Sequence, residues 1–106
     1  MNTPATEIQE PRAQDVEVNA ENLVVDLVDG RTLTVPIVWY PRLWYGTQEE
    51  RARFEIIGDG GYIHWPDLDE DLSIAGMLAG RRSRESGDSL KRWLADRDRK
   101  LPGGGG

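Results

Sequence analysis

From Asp15 onward, apolar and polar residues alternate with a period of two. Val16 and Val18 alternate with Glu17 and Asn19. Leu23, Val25 and Leu27 then alternate with Val24, Asp26 and Val28, and Leu33 and Val35 with Thr32 and Thr34. Successive side chains on a strand point to opposite faces, so this period predicts strands with one face buried. Asp29-Gly30 lies between the second and third runs. It predicts a two-residue type I′ turn, which needs positive φ at both central positions. Pro36 ends the ladder because it brings no N–H. Together the three runs predict an antiparallel meander.

The pattern then changes. Pro41 suits the first turn of a short helix, where its missing N–H costs little, and Gly46 stops that turn. Thr47-Gln48-Glu49-Glu50 matches a capping box and predicts a helix to about Phe54, with Ala52 turned inward. Glu55-Ile56-Ile57 reads as a strand, Gly58-Asp59-Gly60-Gly61 as a turn and Tyr62 to Trp65 as the partner strand. Pro66 to Leu72 reads as an acidic turn leading into a helix through Ile74, Met77 and Leu78, capped by Ser73 and closed by Gly80 at C′. The predicted class is α+β: a small antiparallel sheet, made of a three-strand meander plus a hairpin, with two or three short helices. Residues 1–12 form a flexible lead, 13–80 the domain, and 81–106 a basic, largely flexible tail with a candidate helix over 88–100. In that helix Leu90, Trp93 and Leu94 fall at i, i+3, i+4 spacing.

Length and composition narrow the function classes. At 106 residues there is room for one small domain with tails. Cysteine is absent, which removes disulfides, thiolate nucleophiles and thiolate zinc sites. The first residues show neither a basic region nor an apolar run, and no stretch approaches the roughly 20 apolar residues of a membrane span, so a soluble cytoplasmic protein is expected. The net charge of −6 is unevenly spread: residues 1–80 carry 15 acidic and 5 basic side chains, and residues 81–100 carry 8 basic and 4 acidic. An acidic body disfavours non-specific nucleic-acid binding, whereas the basic tail either reverses that locally or lies against its own domain.

Tyr40-Pro41-Arg42-Leu43, the capped Glu-rich helix and the run Ile63-His64-Trp65-Pro66-Asp67-Leu68-Asp69-Glu70-Asp71 carry a resemblance. Over about residues 13–80 the chain resembles the bacterial domain-of-unknown-function 2442 family, with its His-Trp-Pro-x-Leu-Asp signature at His64, Trp65, Pro66, Leu68 and Asp69. The resemblance implies an α+β domain with a small antiparallel sheet. It also implies an association with a neighbouring small protein, similar to toxin–antitoxin pairs, and some relatives carry an added helix-turn-helix segment. It supplies no catalytic residues, and the long basic tail is not a feature of the family core.

Each candidate site has a structural reading beside its functional one. Asp67, Asp69 and Asp71 alternate like the first ligands of a calcium loop, but Leu72 and Leu78 stand where that loop needs Gly and Glu. The better reading has Leu68 and Leu72 inward and the carboxylates in water, one of them favouring a helix N-terminus. His64 is the single histidine and alternates with Ile63 and Trp65 on a strand, which favours a structural or surface role over general-base work. The Gly58–Gly61 run lacks the Lys and the strand-to-helix context of a phosphate loop, so it reads as a hairpin turn. Trp39, Tyr40, Trp44 and Tyr45 exceed what one turn can bury; Trp44 or Tyr45 beside Arg42 suits a protein-interface hot spot.

No catalytic residue, cofactor or metal is expected. The favoured function is a non-enzymatic interaction module, antitoxin-like, whose acidic body meets a small basic protein. Its candidate partner-binding residues are Trp44, Tyr45, Arg42, Arg81, Arg82, Arg84, Lys91, Arg92 and Trp93. The alternative is a transcription-associated or nucleic-acid-binding protein acting through the tail at Arg81, Arg82, Arg84, Lys91, Arg92 and Arg97. No membrane partner is expected.

Overall fold

A computed structural model describes residues 10–100 of the chain. The predicted lead over 1–9 and the glycine run at the C-terminus lie outside the described residues. Strands β1 (Ala13–Val18), β2 (Asn22–Leu27) and β3 (Thr32–Pro36) form one antiparallel meander, in that order. The predicted alternation holds in β2, where Leu23, Val25 and Leu27 are buried. In β1 a bulge between Ala13 and Asp15 shifts the phase, so Ala13 and Val16 share the inner face three residues apart.

The β2–β3 turn departs from expectation. Gly30 N–H donates to the Leu27 carbonyl (3.0 Å), Leu27 N–H donates to Arg31 O (2.8 Å), and Gly30 has φ +98° while Asp29 stays at negative φ. This is a three-residue loop closed by a left-handed glycine, not a type I′ pair.

After a 3₁₀ turn at Ile37–Trp39, two one-turn helices follow: α1 (Pro41–Tyr45) and α2 (Gln48–Ala52). Pro41 stands at the first helical position of α1. The capping box of α2 is complete, Glu50 N–H donating to Thr47 Oγ1 (3.1 Å) and Thr47 N–H to Glu50 Oε1 (2.8 Å). Ala52 is exposed rather than inward, because α2 buries no apolar face and is held by polar contacts.

The second half holds one strand more than the predicted hairpin. β4 (Glu55–Ile57), β5 (Tyr62–Trp65) and β6 (Glu70–Ser73) form a second antiparallel meander. Gly58, Asp59 and Gly60 all take positive φ in the β4–β5 turn. The acidic stretch after Pro66 is a four-residue hairpin loop between paired Trp65 and Glu70, not a helix approach. Leu68 N–H donates to Trp65 O (3.2 Å), Pro66 sits where its fixed φ favours the turn, and Asp69 takes φ +51°.

Ser73 ends β6 and caps α3 (Ile74–Leu78), its Oγ accepting from Gly76 N–H at 2.7 Å. Gly80 N–H donates to Met77 O and Arg81 N–H to Gly76 O, the paired bonds of a Schellman stop with Gly80 at C′. Both sheets, α1 and α3 feed a single core, in which Leu23, Val25, Ile37, Leu43, Ile63, Trp65, Leu68 and Ile74 are fully buried. A final helix, α4 (Gly87–Lys100), follows a six-residue link. No helix among the described residues is long and apolar enough to cross a membrane.

Gly60 marks the contact between the two halves. A Cβ there would lie 3.0 Å from Arg12 Cβ and 3.1 Å from Ala13 O, whereas one on Gly30 would meet nothing within 4 Å. Their φ values are similar, +91° and +98°. Gly30→Ala should therefore cost roughly 1–2 kcal/mol of backbone strain alone. Gly60→Ala should cost about 1–3 kcal/mol beyond that through overpacking. Urea unfolding of both variants checks this; equal losses would contradict the close approach.

Candidate functional site

The aromatic turn is built around one buried residue. Leu43 is fully buried, which fixes α1 and directs Trp44 (46% exposed) and Tyr45 (50% exposed) outward. A five-residue helix leaves its last carbonyls unpaired. Here the Arg51 guanidinium from α2 donates to two carbonyls of the last turn, Nε to Leu43 O (2.7 Å), which also accepts from Gly46 N–H (3.1 Å), and Nη2 to Trp44 O (2.8 Å). Arg51 is held in turn by the Trp65 indole, whose N–H donates to Arg51 O at 3.0 Å. Two exposed aromatics are thus mounted on a clamped backbone.

Residues 81–97 of the tail meet the domain through charge and aromatic contacts. Arg42 Nε donates to Glu85 (2.9 and 3.1 Å) and its Nη2 to Glu85 Oε2 (2.6 Å), while Nη1 reaches Asp69 O (3.1 Å). Further along, Arg97 makes a two-pronged pair with Glu50 at 3.0 and 2.9 Å. The side chains of these two pairs are only 9–17% exposed. Between them sits Trp93, with the Arg42 guanidinium 5.0 Å from its ring centroid and that of Arg97 at 4.8 Å. On the link, Arg82 stacks on Trp39 at 4.7 Å and Ser83 N–H donates to Trp39 O (3.1 Å).

This sorts the predicted partner-binding residues. Arg42 and Trp93 are engaged within the chain, so they are not free anchors; Arg97 is likewise committed to Glu50. Trp44, Tyr45, Arg81, Arg82, Arg84, Lys91 and Arg92 are exposed. Arg51 and Glu85, which the sequence reading passed over, and Glu50, read there only as a helix cap, do the positioning. The one available signal was the Trp93–Arg97 spacing of one helical turn, facing an acid-rich body.

The residues of the His-Trp-Pro-x-Leu-Asp run lie at the end of β5 and in the hairpin loop that follows. Trp65 and Leu68 are fully buried, Pro66 and Asp69 shape the hairpin loop, and the Asp69 carbonyl receives Arg42. His64 lies on the opposite face of β5, in register between Glu55 on β4 and Asp71 on β6. Its Nδ1 bonds Asp71 Oδ1. The nearby Ser73 hydroxyl is engaged as the α3 cap. Among the described residues, no three His, Asp or Glu side chains converge to hold a metal ion.

A family model, "Protein of unknown function (DUF2442)", matches residues 13–83. The chain belongs to this family. Among solved structures, a protein of unknown function from Rhodospirillum rubrum is 32% identical, with a TM-score of 0.65 over 73% of this chain and 95% of that one. An uncharacterised protein from Chromobacterium violaceum shares the fold at 24% identity, with a TM-score of 0.60 over 85% of this chain and 79% of that one. No curated protein matches. Thus α4 lies beyond the stretch matched to the DUF2442 family, while Arg42 and Glu50, which engage its Trp93 and Arg97, lie within it.

Four ionisable groups contribute to the pH dependence of this DUF2442 domain. Hydrogen bonding to Arg97 lowers the Glu50 pKa, and hydrogen bonding to Arg42 lowers that of Glu85. Both stabilise the fold above the unfolded carboxylate value, and that stability is lost as pH falls through the lowered values. Glu70 behaves oppositely: burial pushes its pKa up to about 7, with Arg42 offsetting part of the effect. The folded chain holds that proton more tightly, so stability falls as pH rises from the unfolded value toward 7. The Asp71 hydrogen bond raises the pKa of His64, which adds stability below the unfolded histidine value and loses it as pH climbs through the folded one.

Glu70→Gln should therefore be more stable than the parent chain at alkaline pH, on the order of 1–2 kcal/mol after discounting for residual exposure. The two should converge in acid, as followed by thermal melts across the range. In a proton NMR titration, Asp71→Asn should lower the His64 midpoint; an unchanged midpoint would remove Asp71 as the cause.

Proposed function

We propose that the chain is a non-enzymatic interaction module of the bacterial cytoplasm, antitoxin-like in character, that binds a small basic protein through Trp44 and Tyr45. The observation that carries this reading is the pair of exposed aromatics on a backbone clamped by Arg51. Large aromatics that lose little freedom on association are the side chains that dominate interface energy, and preorganisation reduces the entropy lost on binding. The excess of carboxylates over residues 1–80 favours a basic partner and speeds encounter. Catalysis has less support, because the Ser73 hydroxyl is engaged as a helix cap.

A second reading, nucleic-acid binding through the tail, is favoured by the exposure of Arg81, Arg82 and Arg84 on one short link, with Lys91 and Arg92 on α4. It loses ground where Arg42, Arg97 and Trp93 are already satisfied within the chain.

Immobilised chain should retain one dominant small basic protein from a bacterial lysate, and Trp44→Ala/Tyr45→Ala should lose it while melting within about 0.5 kcal/mol of the parent. Retention by the double variant would sink the aromatic-patch reading. Binding to a DNA duplex that weakens steeply between roughly 50 and 200 mM salt, and disappears in Arg81→Ala/Arg82→Ala/Arg84→Ala, would replace it with the second.

A further inference from the structure

The clamp on α4 has the character of a receptor holding a ligand. Nearly all of its attachment runs through long side chains, and α4 makes no extensive backbone contact with any element. Trp93 enters between two guanidinium groups and packs on the edge of the core, and Arg97, one turn later, is taken up by Glu50. A cleft of about 330 Å³ remains beside it, lined by Glu50, Pro66, Asp67 and Asp69 together with Trp93 and Arg97. The domain side of this surface is acidic, and the inserted groups are an indole and a cation. The receiving residues fall within the family match at 13–83, and the helix follows it.

We infer that the surface formed by Arg42, Glu50 and the Pro66–Asp69 turn is a docking site for a partner helix bearing a tryptophan and an arginine one turn apart, and that α4 fills it as a displaceable plug. Aromatic and cationic side chains at i, i+4 present one face of a helix, the arrangement by which amphipathic helices are read in grooves. A tethered competitor acts at an effective concentration in the millimolar range for a short link, so the plug imposes a threshold that only a tighter or more abundant helix overcomes. This surface shares no residue with the Trp44–Tyr45 patch, so each can fail without the other.

The probe is a fluorescein-labelled peptide with the sequence of residues 84–100, followed by fluorescence anisotropy against full-length chains. In the variant Trp93→Ala/Arg97→Glu the plug is released. That variant should bind the peptide roughly tenfold or more tightly than the parent chain, whose own helix competes. Adding Glu50→Gln to the released chain should abolish binding, since glutamine preserves the capping box but not the charge. Peptides with the tryptophan or the arginine replaced by alanine should bind neither chain. A folded released chain that ignores the peptide, or binds it equally after Glu50→Gln, would overturn the proposal. So would a parent chain that elutes as a concentration-dependent dimer with exchanged helices, which would make a second copy the occupant. If the released variant unfolds, unlabelled peptide titrated into isotope-labelled parent chain should shift the Trp93 indole signal toward its free position. An immobile signal at millimolar peptide would be equally decisive against it.

Discussion

The Trp65 indole links parts of the chain that otherwise touch little. It is fully buried on β5, and its one polar atom reaches out of the second sheet to the Arg51 carbonyl. An indole N–H left unpaired in a core costs about 1–3 kcal/mol, so that bond is strongly enforced. By fixing the α2 backbone at Arg51 it also fixes the guanidinium that closes the last carbonyls of α1. The exposed aromatics are therefore oriented by a buried residue two layers away. Phe54 against the Trp65 ring, with centroids 6.5 Å apart, braces the same residue from the end of α2.

The same region decides where the charges go. The hairpin loop after Trp65 turns Leu68 into the core and leaves its neighbouring carboxylates outside; the left-handed Asp69 then presents its carbonyl to Arg42. Arg42 is thereby placed to meet Glu85, and Glu50, already committed to the α2 cap, has one further face open for Arg97. Paired charges with little exposure lose hydration on docking, and only good geometry offsets that loss. Both pairs here are forked, as guanidinium–carboxylate recognition requires. Arg97–Glu50 sets a tail cation against the acidic body, one of the two arrangements the charge pattern allowed, whereas Arg42–Glu85 runs the other way.

Much of the fold was legible because the relevant signals are local. Alternation in β2, the capping box at Thr47, the glycine turn after β4 and the Ser73–Gly80 bracket around α3 each depend on a few adjacent residues. What was missed is non-local or weakly patterned. Strand β6 offers one inward apolar residue, Leu72, after two carboxylates, too little periodicity to register as a strand, and the genuine cap at Ser73 drew the preceding residues into a helix approach. The bulge in β1 moved an alanine into the core without altering any pattern. Asp29-Gly30 is compatible with two turn types, and the wider loop was adopted, in which Arg31 also pairs with Asp29. For the candidate site, the aromatics were legible by number alone, whereas the pairings of Glu50 and Glu85 with partners more than forty residues away were not.

The four tryptophans separate what the fold needs from what it leaves available. Trp65 is buried, Trp39 is covered by Arg82, and Trp93 is enclosed by Arg42 and Arg97. Three different positions have thus each acquired a cover, two of them by the same guanidinium-on-indole contact that withdraws a ring face from water without a larger core. Trp44 has acquired none among the described residues, although arginines are plentiful nearby and Arg51 passes close enough to bond its carbonyl. That guanidinium is held on the backbone by two carbonyls, which keeps the helix end rigid and leaves the ring open. A chain that covers its other indoles and braces the backbone of this one leaves Trp44, with Tyr45 beside it, exposed on a rigid mount, and the proposed partner surface rests on that contrast.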